Sequence, residues 1–154
     1  MMPLNQVGVT TFPIGERAAF SDFSGTTVHG EHFELSQESG PTVVNAWASW
    51  CDPCTAEWPI LQDSAAMHPN VHFVGINVND DKSSALAFLK KHGDNYVHVM
   101  DQDMAITAKT HLVPGGGLPV TLVLDHNHNI AARFIGKVTA DKLDSILAGL
   151  ATEK

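Results

Sequence analysis

The sequence predicts an α/β domain: a mixed β-sheet covered by helices on both faces. Three observations carry this. Short apolar runs rich in β-branched residues alternate with helical stretches, in the order β-α-β-α-β-α-β-β-α. The last two strands are joined by the turn-forming stretch Asp125-His126-Asn127-His128-Asn129, the spacing of an antiparallel hairpin, so the sheet is mixed. The chain has 154 residues, 44% hydrophobic and 17% charged, which suits one domain folding on its own core rather than a disordered segment or a coiled coil.

The elements follow in order. Residues 1–15 have no clear period and read as an irregular arm, with 16–154 as a single domain. Between Glu16 and Gly40, short runs around Gly25 and Gly30 read as a small hairpin and a connecting turn. Thr42 to Ala48 is a buried strand opened by Gly40-Pro41. Asp52 to His68 is a helix. Pro53 is tolerated in its first turn, where the N–H has no partner, and Pro59 should bend it. Val71 to Val78 is a second buried strand. Ser83 to His92 is a helix with Leu86 and Leu89 on one face, stopped by Gly93. Tyr96 to Met100 is a short strand, Asp103 to His111 a short helix, and Pro114 to Gly117 a loop. Val120 to Leu124 and Ile130 to Ile135 are the closing strands. In the final helix, Asp141 to Leu150, Leu143, Ile146, Leu147 and Leu150 form one apolar stripe.

Composition excludes several functions. A net charge of −8 disfavours nucleic acid and anionic membranes as partners. The longest unbroken apolar run, Ala85 to Leu89, is far too short to span a bilayer. Two cysteines, Cys51 and Cys54, rule out a disulfide-rich scaffold and a four-cysteine metal site. Nine histidines are scattered, and the reading names no metal ligand among them. Residues 1–20 lack the basic start and apolar stretch of a signal peptide.

The segment that carries chemistry is Trp50-Cys51-Asp52-Pro53-Cys54, after a buried strand and at the opening of a helix. No second pair completes a zinc site, and Thr55 stands where haem attachment needs His. A redox pair is the remaining reading. Cys51 lies where unpaired helix N–H groups converge and favour a thiolate. Cys54 is about one turn further in, and the spacing lets the sulfurs reach bonding distance. Cys51 would attack a substrate disulfide at the surface, and Cys54 would resolve the mixed disulfide. Trp47 belongs in the core, Trp50 shields Cys51, and Trp58 is packing.

The stretch from Val43 to Pro59, centred on this motif, resembles the TlpA/ResA-like branch of the thioredoxin superfamily. Gly117-Leu118-Pro119-Val120 resembles that family's cis-proline strand, and Gly136 to Leu150 its closing strand and helix. The resemblance covers Phe20 to Leu150 and implies a thioredoxin-like sheet with an N-terminal β-hairpin extension. It implies a cis bond before Pro119, a loop facing the cysteines, and a Leu118 backbone that pairs with substrate. It places Glu57, which shares a helix face with Cys54, in the active-site cavity as acceptor of the Cys54 proton. It implies no cofactor beyond the Cys51–Cys54 pair. The implied partners are protein thiols or disulfides and a membrane-bound thiol electron donor, outside the cytoplasmic membrane of bacteria. Two positions depart from the family pattern: Ala46 stands for Phe, and Val120 for Thr.

Alternatives are a disulfide-forming oxidase of the same fold and a copper-binding chaperone of the Sco type, which has one more residue between its cysteines. Peroxiredoxins place Thr where Ala48 stands. Direction is read from the motif. Asp52 sets a negative charge between the cysteines, Pro53 removes an N–H, and no cation lies within the motif. All three disfavour the Cys51 thiolate and favour a reductant.

Overall fold

The computed structural model describes residues 8–153. A six-stranded sheet has the order β1-β8-β7-β4-β5-β6, with β1 Gly8–Thr11, β4 Thr42–Trp47, β5 His72–Val78, β6 Val97–Asp101, β7 Val120–Leu124 and β8 Ile130–Ile135. β4, β5 and β6 are parallel, while β7, β8 and β1 join by antiparallel pairing. Ser24–Thr26 (β2) and His32–Glu34 (β3) form a separate two-stranded hairpin. The helices are α1 Asp52–Met67, α2 Lys82–His92, α3 Ala105–Thr110 and α4 Ala140–Ala151.

One expectation is corrected. The arm expected over residues 1–15 is not irregular over Gly8–Thr11, which pairs along β8 from Gly8↔Ile135 to Thr11↔Ala132. The alternation there is weak because β1 is an edge strand with no fully buried residue, only Val9 packing against the second core. Residues 1–7 of the expected arm lie outside the described residues. Just after β1, the Arg17 guanidinium gathers distant groups. Its Nε donates to Phe12 O at 2.8 Å, one terminal nitrogen to Asp125 and Glu153, and the other to Glu153. These partners lie far apart in sequence, so the clamp could not be read from it. The remaining elements differ from expectation by a residue or two at their ends, as helix fraying allows.

Every residue of β4 is buried, so its side chains alternate between two cores. Val44 and Ala46 face one core with Val74, Ile76, Leu122 and the hairpin's Phe33, packed against Ile106 of α3. Val43 faces the other, with Leu61 of α1 and Leu143, Leu147 and Leu150 of α4. The expected stripe on the last helix is thus the one that covers the sheet. Ala46 and Val120, the two departures from the family pattern, are direct cross-strand partners in the first core.

The second face also carries a row that is not apolar. Thr121, Asn45, Gly75 and His98 are register partners across β7, β4, β5 and β6. Trp47 Nε1 reaches over β5 to donate to His98 Nδ1 at 3.0 Å. A Cβ on Gly75 would run into both rings, so glycine is required there by space. Trp47 meets Trp58 edge to face and Phe88 at a tilt, which joins α1 and α2 to this face. Gly75→Ala is therefore expected to cost about 1–3 kcal/mol through overpacking, read as a lower urea midpoint with unchanged slope.

Candidate active site

β4 ends at Trp47, and the chain turns through Ala48, Ser49 and Trp50 to enter α1 at Cys51. The turn is held from the β5–α2 connection. Asp80 accepts from Ser49 N–H at 2.7 Å, Ser49 Oγ at 2.9 Å and Asn77 Nδ2 at 3.1 Å. Trp50 Nε1 donates to Asn79 O at 3.0 Å. Asn79 sits at φ 48°, a left-handed conformation that asparagine tolerates better than most residues. Sequence reading missed Asp80 and Asn79, because Asn79-Asp80-Asp81 also fits an ordinary turn into a helix. Asp81 does cap α2.

Cys51 is the N-cap of α1, and its Sγ accepts from Cys54 N–H at 3.2 Å. The expected convergence of helix N–H groups on this sulfur is thus one hydrogen bond. Cys51 and Cys54 form a disulfide, with Cα atoms 5.3 Å apart, inside the usual range. Cys51 is less open than expected: 5% exposed, against 0% for Cys54. The order of access matches the expectation, but the opening is narrow. Trp50, 58% exposed, stands beside it, and Asp52 and Pro53 are exposed in the first turn. Trp47 and Trp58 are fully buried with the two cysteines in one cluster.

Leu118 packs against this same cluster, which brings the loop before β7 to the cysteines. The Leu118–Pro119 bond is cis, and Pro119 is buried. A small apolar cleft lined by Gly117, Leu118, Pro119, Val120, Ile135 and Gly136 opens alongside.

Glu57 lies behind the disulfide, one turn past Cys54 on the same face of α1, and is 1% exposed. Its Oε1 accepts from Val138 N–H at 3.0 Å and its Oε2 from Asn45 Nδ2 at 3.0 Å. Burial pushes its carboxyl up to about 7, opposed by these two donors and by the Lys137 charge. Asn45 and Val138 were not singled out in the sequence. A usable signal existed for Asn45: it is the polar residue of an otherwise apolar buried strand. His98, likewise unanticipated, is buried, and loss of hydration pushes its imidazole down to about 3.

The histidines disperse. His29 pairs with Asp94, His32 with Glu34, His68 with Asp144 and His72 with Glu38. Among the described residues, no group of three or more His, Cys, Asp or Glu is placed to hold a metal ion, and no helix is long and apolar enough to cross a membrane.

A mixed sheet flanked by helices, with a two-cysteine disulfide at a helix N-terminus facing a cis-proline loop, defines a thioredoxin-fold protein with a dithiol/disulfide pair. The chain belongs to the Redoxin family, whose model matches residues 14–149. It is 32% identical over 111 residues to a thiol:disulfide interchange protein DsbE homolog of Paracoccus denitrificans, covering 70% of this chain and 58% of that one. It is 28% identical over 129 residues to the thiol-disulfide oxidoreductase ResA of Bacillus subtilis, covering 82% and 70%. The crystal structure of a secreted thiol-disulfide isomerase from Corynebacterium glutamicum superposes with a TM-score of 0.87 at 29% identity, over 99% of this chain and 96% of that one. The chain spans little more than half the length of the Paracoccus relative. The match to ResA covers 82% of this chain, and the family model extends over residues 14–149.

The buried carboxyl makes stability depend on pH. The folded state holds the Glu57 proton more tightly than the unfolded chain, where a glutamate carboxyl has its ordinary pKa of 4.5. Its stabilising contribution is therefore full below pH 4.5 and is lost as pH rises through about 7. Relative to Glu57→Gln, the wild type should lose about 3 kcal/mol across that window. Denaturant unfolding of both proteins at a series of pH values checks this. Comparing the two cancels the opposite trend from His98, whose lowered pKa removes stability as pH falls.

Proposed function

We propose that the protein is a thiol–disulfide oxidoreductase that reduces protein disulfides outside the cytoplasm. The observation that carries this is the paired sulfurs: Cys51 at the mouth, Cys54 sealed behind it, and a buried carboxyl one turn deeper. In the reduced form, the Cys51 thiolate attacks a substrate disulfide. One S–S bond forms as another breaks, and a substrate thiolate leaves. Cys54 then loses its proton to Glu57 and attacks Cys51 Sγ. This closes the internal disulfide and releases the second substrate sulfur as a thiolate, which takes the proton. Two electrons pass to the substrate.

Leu118 and the cleft beside it position the substrate chain, with the Leu118 backbone pairing like an added strand. Trp50 and Pro53 border the point of attack, and Asp52 adds negative charge next to it. A membrane-bound thiol donor returns electrons to the oxidised pair, and a role of the cytochrome c maturation type is the nearest analogy. The similarity to a thiol:disulfide interchange protein and to a secreted thiol-disulfide isomerase supports exchange chemistry and an extracytoplasmic site.

Reduction is favoured over oxidation by the weak support for a thiolate. Among the described residues, Cys51 Sγ accepts one hydrogen bond, from Cys54 N–H. Asp52, in the first turn, and Asp80, on Ser49, are anionic. A thiolate held this loosely leaves the disulfide harder to reduce.

Cys51→Ser is expected to abolish reduction of a disulfide peptide, and Cys54→Ser to accumulate a mixed disulfide on Cys51. Mass spectrometry of both variants decides, and adducts on Cys54 would reverse the assignment. Equilibration with a glutathione buffer reads direction: a potential near the strongly oxidising end, about −120 mV, would establish the oxidase reading instead.

A further inference from the structure

A buried carboxyl that receives a proton must be solvated by the protein in two states, and the groups around Glu57 suit only one as they stand. Val138 N–H and Asn45 Nδ2 are donors, matched to a carboxylate. The carboxylic acid is itself a donor and needs an acceptor. Among the described residues, Asn45 Oδ1 is buried with no hydrogen-bond partner, and it belongs to the same amide that now donates to Glu57.

We propose that Asn45 is a two-way positioning residue for Glu57: its amide donates to the carboxylate and, turned by half a rotation, accepts from the carboxylic acid. This rests on the reading of Glu57 given under Proposed function. In the observed orientation Nδ2 bridges Glu57 Oε2 at 3.0 Å and Thr121 Oγ1 at 2.9 Å. Rotation puts Oδ1 in the place of Nδ2. Glu57 can then donate through its new O–H, and Thr121 through its hydroxyl, which serves as donor or acceptor. Oxygen and nitrogen are nearly equal in size, so the exchange fits the space around a residue that is 1% exposed. The turned Nδ2 takes the place of an Oδ1 that has no partner among the described residues, a cost that the new O–H bond of Glu57 offsets.

The proton balance is closed. The Cys54 S–H bond breaks and the Glu57 O–H bond forms, and Asn45 turns. When the proton passes on to the released substrate thiolate, Glu57 is again a carboxylate and Asn45 turns back. A purely apolar neighbour would serve neither state, and a fixed donor only one. The other titratable groups facing Glu57 are Cys54 on α1, Lys137 on the turn after β8, whose charge favours the carboxylate, and Tyr96 just before β6.

The test is carbon-13 NMR of the Glu57 carboxyl across pH in the full-length oxidised protein, with nitrogen-15 spectra of the Asn45 side-chain amide. In the wild type, the Asn45 amide protons should titrate with the same midpoint as Glu57. In Asn45→Ala both states of Glu57 lose a partner, and the bond lost to the carboxylate is the stronger, charge-assisted one. The Glu57 midpoint should therefore rise by a net of about one pH unit, a tenfold change in the ionised fraction. The pH profile of single-turnover release from the Cys51 mixed disulfide should move with it. Asn45→Asp keeps the size and guards against a folding failure. There, two carboxyls sharing one proton should titrate in two separated steps. A Glu57 midpoint unchanged in Asn45→Ala, or an Asn45 amide that does not titrate in the wild type, overturns the proposal. An Asn45 amide that titrates with Glu57 together with a moved midpoint, in a protein inactive toward disulfides, upholds it and overturns the oxidoreductase reading instead.

Discussion

The rest of the molecule hangs on the complete burial of β4. A strand buried on both faces must hand its side chains alternately to two cores, and this one does so along all six residues. On one side it faces the layer of α3 and the β2–β3 hairpin. On the other it faces α1, which begins after only four connecting residues. The short connection leaves Cys51 at the helix N-terminus directly above the sheet, with little freedom to be elsewhere. The cysteine pair is placed by the shortest path from the best-packed strand to the helix that covers it.

Burial also explains why the site is chemically poised. The face under α1 is apolar around Leu61 and α4 and around the cysteines, but between them Thr121, Asn45, Gly75 and His98 line up across four strands. Polar groups there cost free energy unless they are paired. Trp47 satisfies one nitrogen of His98, and Asn45 satisfies Glu57 and Thr121. Gly75 keeps the middle of the row empty so that Trp47 can reach across. The same loss of hydration that makes these partners necessary raises the Glu57 carboxyl into the range where it can exchange a proton near neutral pH.

The surface around the mouth follows different rules. Trp50 stays exposed because its indole N–H is tied outward to Asn79 rather than inward. Asp80 gathers Ser49 and Asn77, so the turn carrying Trp50 is braced from a neighbouring strand's loop. An attacking sulfur needs its flanking turn held still, since geometry sets whether the substrate sulfur can approach in line.

The sequence by itself determined the order of elements, the mixed sheet and the cysteine pair at a helix start. Each rests on local periodicity, on turn residues, or on a spacing of a few residues, and these act within one stretch of chain. That Glu57 shares a helix face with Cys54 was legible because three residues along a helix bring two side chains to one face; its place in the cavity came from the family resemblance. Tertiary structure alone decided that Gly8–Thr11 is an edge strand, that Arg17 clamps Asp125 and Glu153, and that Cys51 opens only narrowly to solvent. It also decided that Asn45 of β4 and Val138 of the turn before α4 meet at Glu57, with Thr121 of β7 behind Asn45. Such partners are set by strand register and by which face a helix covers. Register is a property of two segments at once, so no window of sequence records it.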